Sequence, residues 1–226
     1  MKTVIENVKH CLINIVKYLI ETSEDSQELF NTQIEYVLTI ILFDHEIKYI
    51  CKQQNVLELI DNEENIQDKL FKKISNIQVR GMTNIENVFN AVITEYMEDY
   101  KNIHIFMTDG EPTQGQQLQE ELLPLLLQDQ QTSPIHHNFL GFGIEHNAKM
   151  LNHFAINISN ASYYFIDNIE NAGMIYGEIL DKATYKNYTN IKINSNSQYI
   201  MFYDVKTTKW MTEITGLDTG NKDEYI

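Results

Sequence analysis

Apolar and polar residues follow two periods along this chain, and the changes between them mark out its elements. Between Met1 and Ile20, Val4, Ile5, Val8, Leu12, Ile15, Val16 and Leu19 recur at helical spacing, so the pattern predicts an amphipathic helix. The polar stretch Thr22 to Asn31 reads as a loop. Ile34 to Phe43 is almost continuously aliphatic, which predicts an interior strand covered on both faces. Asp44-His45-Glu46 then turns the chain into a second strand over Ile47 to Lys52, giving a hairpin. Helical spacing returns from Asn65 to Ile77 and, after a turn at Gly81, from Asn84 to Met97. Ile103 to Met107 is a short buried strand that stops at Thr108-Asp109-Gly110. Gln116 to Gln128 is rich in Leu, but Pro124 removes a backbone donor and predicts a broken or restarted helix. A strand over Asn138 to Ile144, a short helix over Met150 to Ala155, a strand over Ser162 to Asp167 and a helix over Ala172 to Lys182 follow. Tyr188 to Asn194, Gln198 to Val205 and Lys209 to Ile214 are short runs without helical period, a meander of strands.

Strands that alternate with helices predict an α/β domain over residues 1–182, with a doubly wound, mainly parallel sheet of Rossmann type. Residues 183–226 form a small β-rich extension. In open parallel sheets, ligands collect beyond the carboxyl ends of the strands. That places a candidate site at Thr108-Asp109-Gly110, with Glu111 and Thr113 just behind it. The turn is expected to need the conformational freedom of Gly110.

Charge narrows the partners. The 226 residues carry a formal net charge of −15, which repels phosphate backbones and anionic membranes at long range, so neither nucleic acid nor a membrane is an expected partner. The longest apolar runs fall short of the ~20 residues a membrane span requires. Cys11 and Cys51 each lie in an apolar segment and are read as buried thiols of a reducing, cytoplasmic compartment.

Catalytic motifs are missing from the sequence. It contains no Gly-x-x-x-x-Gly-Lys-Ser/Thr loop, no Gly-x-Gly-x-x-Gly loop and no Gly-x-Ser-x-Gly elbow. His136-His137 lies ahead of a strand and is read as surface loop; His10, His45, His104, His146 and His153 have no spaced metal-ligating partner. The expectation is a protein that is not an enzyme.

A strand ending in Thr108-Asp109-Gly110, preceded by the Gly81-x-Thr83-Asn84 turn that opens a helix, resembles the von Willebrand factor type A domain. Gly141-Phe142-Gly143 is similar to the Gly-Phe-Gly of that family's fifth strand. The resemblance implies a metal-ion-dependent adhesion site in which Thr83 and Asp109 ligate a divalent cation. It also implies that the family's Asp-x-Ser-x-Ser segment would fall immediately before Met1, so that Met1 is expected to be internal to a longer chain. The site is then incomplete or vestigial. Mg²⁺ or Mn²⁺ is expected to bind weakly, with Asp44 and Glu111 as spare acids nearby. Thr83-Asn-Ile-Glu86 also fits a capping box, but next to Thr108-Asp109-Gly110 the ligand role accounts better for both motifs. The function implied is non-catalytic binding of a protein partner. Its alternatives are an adaptor that couples a client to an AAA-type ATPase, or an inert fragment of a longer protein. The extension faintly resembles part of the β-sandwich module that follows some type A domains.

Overall fold

The computed structural model describes residues 4–30, 34–60, 65–79, 81–127, 135–167, 169–185, 191–194, 201–204 and 209–217. The chain divides into two compact units, Met1–Tyr176 and Gly177–Ile226. The expected boundary lay after Lys182; this division falls earlier, inside a helix.

The first unit opens with helix α1 (Val4–Phe30), which runs through the stretch expected to be a loop. Polarity misled the reading there: Thr22, Ser23 and Ser26 continue the helical stripe and are buried. The two serine hydroxyls have local uses, since Ser23 Oγ donates to the Ile34 carbonyl at 2.7 Å and Ser26 Oγ accepts from Ile34 N–H at 2.9 Å. Strands β1 (Val37–Phe43) and β2 (Ile47–Asn55) form the expected antiparallel hairpin. Beyond it come a single turn α2 (Leu57–Ile60), α3 (Ile66–Ser75) and α4 (Ile85–Thr94).

Three parallel strands form the second sheet in the order β3-β4-β5, where β3 is Asn102–Thr108, β4 is Ile135–Phe142 and β5 is Ala161–Ile166. Between them run α5 (Gln119–Leu127) and α6 (Ala148–Asn157), and α7 (Ile169–Tyr185) follows. Pro124 does not break α5. It is the sixth of the nine residues of α5 and forfeits one backbone donor, while Leu122 and Leu126 anchor the helix in the core on either side of it.

The sheet is covered on both faces, as the α/β reading requires. Ile85, Val88 and Phe89 of α4, Leu122 and Leu126 of α5 and Met150, Leu151 and Phe154 of α6 close over Phe106 and Phe139 on one side. On the other, Tyr176 of α7 places its hydroxyl 2.7 Å from Met107 Sδ. One expectation fails: β1 is not an interior strand. Among the described residues it pairs with β2 alone, and of its seven residues only Ile40 is buried.

His136 and His137 lie within β4 and not in a surface loop. In register with His104 on β3, His137 turns inward, and the two Nδ1 atoms lie 2.9 Å apart among Phe89, Phe106 and Phe139. Burial holds His104 well below the ordinary histidine pKa, with His137 adding to the effect. Burial also pushes His137 down to about 4, helped by His136. Both rings are therefore neutral at pH 7, one donating its Nδ1 proton to the other.

In the second unit, β6 (Ile191–Asn194) pairs antiparallel with β9 (Glu213–Leu217), and β7 (Phe202–Asp204) with β8 (Lys209–Met211). The last apolar run is thus split at Thr212 into strands with different partners. Tyr203 and Trp210 face each other across the inner hairpin at 5.1 Å. Parts of the expected strands, such as Tyr188 to Asn190 and Gln198 to Ile200, lie outside the described residues.

Candidate functional site

Three loops meet at the carboxyl edge of the strands. The first, Asp44 to Glu46, follows β1; the second, Gly81 to Asn84, opens α4; the third, Asp109 to Gln116, follows β3. Asn84 N–H donates to the Asp44 carbonyl at 2.7 Å and Asn87 Nδ2 to the His45 carbonyl at 3.4 Å, which ties the first loop to the second. Thr113 ties the second to the third. Its hydroxyl accepts from Thr83 N–H at 2.8 Å, and its own N–H donates to the Thr83 carbonyl at 2.8 Å.

Asn84, not Thr83, is the N-cap of α4, its side chain accepting from Asn87 N–H at 3.1 Å. Glu86 does not reach back as a capping box would require. Its carboxylate accepts from Gln116 N–H at 2.9 Å and becomes a further strap to the third loop. Gly115 permits that approach. With φ +67°, it lies where an added Cβ would be 2.7 Å from both Asn84 Oδ1 and Glu86 Oε2. The capping box is therefore corrected, and the Thr83 hydroxyl makes no hydrogen bond among the described residues.

Asp109 is exposed, and its carboxylate likewise has no hydrogen-bond partner among the described residues. The turn that carries it is shaped by Thr108, whose buried hydroxyl accepts from Gly110 N–H at 3.3 Å. Gly110 has an ordinary φ and open space around it, so the expected need for glycine there does not hold. Of the two spare acids, Glu111 is exposed, whereas Asp44 is buried with its carboxylate turned into its own loop, accepting from Glu46 N–H at 2.7 Å and 3.1 Å from His45 Nδ1.

His146, isolated in sequence, is fixed beside this edge. Its Nδ1 donates to the Gly143 carbonyl, so Nε2 accepts from the Tyr163 hydroxyl at 2.6 Å. The ring sits so close to Gly141, the register partner of Thr108, that any Cβ there would overlap it. Sequence reasoning placed Thr113 at the site without its tie to Thr83, and it missed the roles of Gly115 and His146, because each acts through a neighbour that only the fold supplies.

A divalent cation at this edge would find the Thr83 hydroxyl and the Asp109 carboxylate, both without competing hydrogen bonds among the described residues. Hard cations take about six oxygens or more, and no group of three or more His, Cys, Asp or Glu side chains placed to share an ion is present among the described residues. The donor set does not fit a tightly held ion.

Comparison by sequence finds no matching family model and no matching curated protein. Comparison of folds finds the von Willebrand factor type A protein from Catenulispora acidiphila, at TM-score 0.60 and 10% identity, with 98% of this chain and 52% of that chain covered. Proximal thread matrix protein 1 from the mussel byssus matches at TM-score 0.54 and 16% identity, covering 83% of this chain and 44% of that one. A structure of the same mussel protein with a zinc-occupied MIDAS motif, the metal-ion-dependent adhesion site, matches at TM-score 0.53 and 17% identity, again over 83% and 44%. This chain spans about half the length of the proteins it matches. It has the von Willebrand factor type A fold.

Proposed function

We propose that the chain is a non-catalytic module that binds a protein partner through the loops at the carboxyl edge of its parallel sheet. The observation that carries this reading is the pairing of rigid loops with exposed apolar side chains. Met82, Leu118 and Ile144 are 58%, 60% and 87% exposed on the loops around Thr83 and Asp109. Exposed apolar groups clustered on one edge favour association, and loops strapped to each other in advance lose little freedom on binding. The straps use protein groups alone, so the edge is assembled without an ion, and Mg²⁺ or Mn²⁺ adds at most a weak contact through Thr83 and Asp109. Two free cysteines, Cys11 buried and Cys51 half-buried, suit a reducing compartment. No helix among the described residues is long and apolar enough to cross a membrane.

Affinity capture from the source cells tests the reading. A protein retained by the wild-type chain, in EDTA as well as in magnesium, should be lost with Met82→Glu or Ile144→Glu. Retention by both variants would place binding elsewhere.

A further inference from the structure

Strand β2 and helix α3 border a cavity of about 410 Å³ in the first unit, toward the lower end of the size of small-molecule sites. None of its lining residues belongs to the three loops of the carboxyl edge. The strand is irregular where it forms the wall. Leu38 and Ile40 of β1 face Gln54 and Cys51 of β2, so three steps along β2 answer two along β1. That extra residue turns Cys51 and Gln54, which a regular strand would send to opposite faces, toward the same side. Gln53 absorbs it with φ 46°, in the left-handed region, and its N–H donates to Thr39 Oγ1 at 3.0 Å. A second irregularity passes over Ile50, whose carbonyl accepts from Lys73 Nζ at 3.2 Å.

The charged residues that line the cavity are Lys69, Lys72 and Lys73, with no acid among them, in a chain that has 32 acidic and 17 basic residues. At i, i+3 and i+4 the three share one face of α3, a spacing at which like charges destabilise a helix. Among the described residues no carboxylate is ion-paired with them. The helix dipole does not account for the arrangement. It favours cations in the last turn, but Lys69 lies a turn earlier, and the carbonyl of Ser75 at the end of α3 already receives Lys9 Nζ from α1 at 2.9 Å. Buried Leu70 and the half-buried Cys51 thiol give the cavity an apolar wall.

We propose that this cavity binds a small phosphomonoester, its phosphate held by the three lysines and its apolar body against Leu70 and Cys51. A phosphomonoester carries about −1.5 to −2 charges at pH 7 and three acceptor oxygens, which answers three adjacent ammonium groups better than a singly charged carboxylate does. The net charge of −15 restricts the ligand to a small one. Salt screens exposed charges beyond about 8 Å under physiological conditions, so a small anion inside the cavity meets chiefly the lysines, whereas a nucleic acid or a membrane would also meet the acidic surface.

Cys51 reports occupancy, because its thiol lines the cavity while the other cysteine, Cys11, is buried. With the whole chain, about 10 mM phenyl phosphate should slow alkylation of Cys51 by iodoacetamide at least about fivefold, read from the mass of the peptide that contains it. Inorganic phosphate, which lacks the body, and benzoate, which has a single charge, should protect less at equal concentration. Lys69→Gln combined with Lys72→Gln should abolish the protection while shifting the melting temperature by less than about 2 °C, since both side chains are exposed. No protection by phenyl phosphate in the wild-type chain, equal protection by inorganic phosphate or benzoate, or protection that persists in the double variant would overturn the proposal. So would protection by an acidic peptide alone, which would make the cavity a contact for a protein partner.

Discussion

Phe43 and Phe106 stack at 5.4 Å although the strands that carry them share no hydrogen bond. Side chains, not a backbone ladder, thus hold the β1-β2 hairpin to the parallel sheet at this point, with Phe89 of α4 completing the cluster. The carboxyl-edge loops rest on this join, since Asp44 begins the first loop directly after Phe43.

Gly115 and Gly110 should respond oppositely to alanine. Gly115→Ala introduces a Cβ at φ +67° against Asn84 and Glu86, which should lower stability by about 1–3 kcal/mol. Gly110→Ala meets open space and should stay within about 0.5 kcal/mol of wild type. Urea midpoints for the two variants decide the matter, and equal losses would show that the third loop is not held as described.

Helix capping separates Asn84 from Thr83. Asn84→Ala removes the side chain that accepts from Asn87 N–H and should cost about 1 kcal/mol. Thr83→Ala removes a hydroxyl outside any described hydrogen bond and should cost less than about 0.5 kcal/mol. The two thermal unfolding curves measure the difference directly.

The histidine pair makes the core sensitive to acid. His137 titrates near 4 in the folded chain and near 6.5 when unfolded, so below 6.5 the unfolded state binds more protons. The stabilisation is complete above about 6.5 and is lost as pH falls from there toward 4, by about 3 kcal/mol for this residue. His104 is shifted in the same direction. Replacing His137 with Leu should flatten the stability profile between these pH values; an unchanged slope would assign the acid sensitivity to other groups.

The alternation of strands and helices, the hairpin and the Thr108-Asp109-Gly110 turn were all legible in the sequence, because each rests on local periodicity or on a local break. What was not legible depended on long-range partners. Ser23 and Ser26 look like loop residues until Ile34 returns to use their hydroxyls. His137 looks exposed until His104 lies beside it. Glu86 looks like half of a capping box until Gln116 arrives to claim it. The aliphatic run of β1 predicts burial on both faces, whereas among the described residues the strand has a neighbour on one edge and is half-buried along most of its length.

Titration calorimetry with MgCl₂ and MnCl₂ should show weak binding, with dissociation constants of about 1 mM or above, since one hydroxyl and one carboxylate leave most of the coordination sphere to water. Asp109→Ala should abolish whatever heat is seen. A sub-micromolar constant lost in that variant would mean that other groups complete the site.

Site-specific photocrosslinking tests the binding edge most directly. A crosslinking side chain is placed at Met82 or Ile144 on the carboxyl edge, and at Asp99 on the loop that enters β3 from the opposite edge. Met82 and Ile144 should yield the same crosslinked protein partner, in EDTA as well as in magnesium, and Asp99 should yield none. A partner captured equally from Asp99, or only from Asp99, would contradict binding through the carboxyl edge.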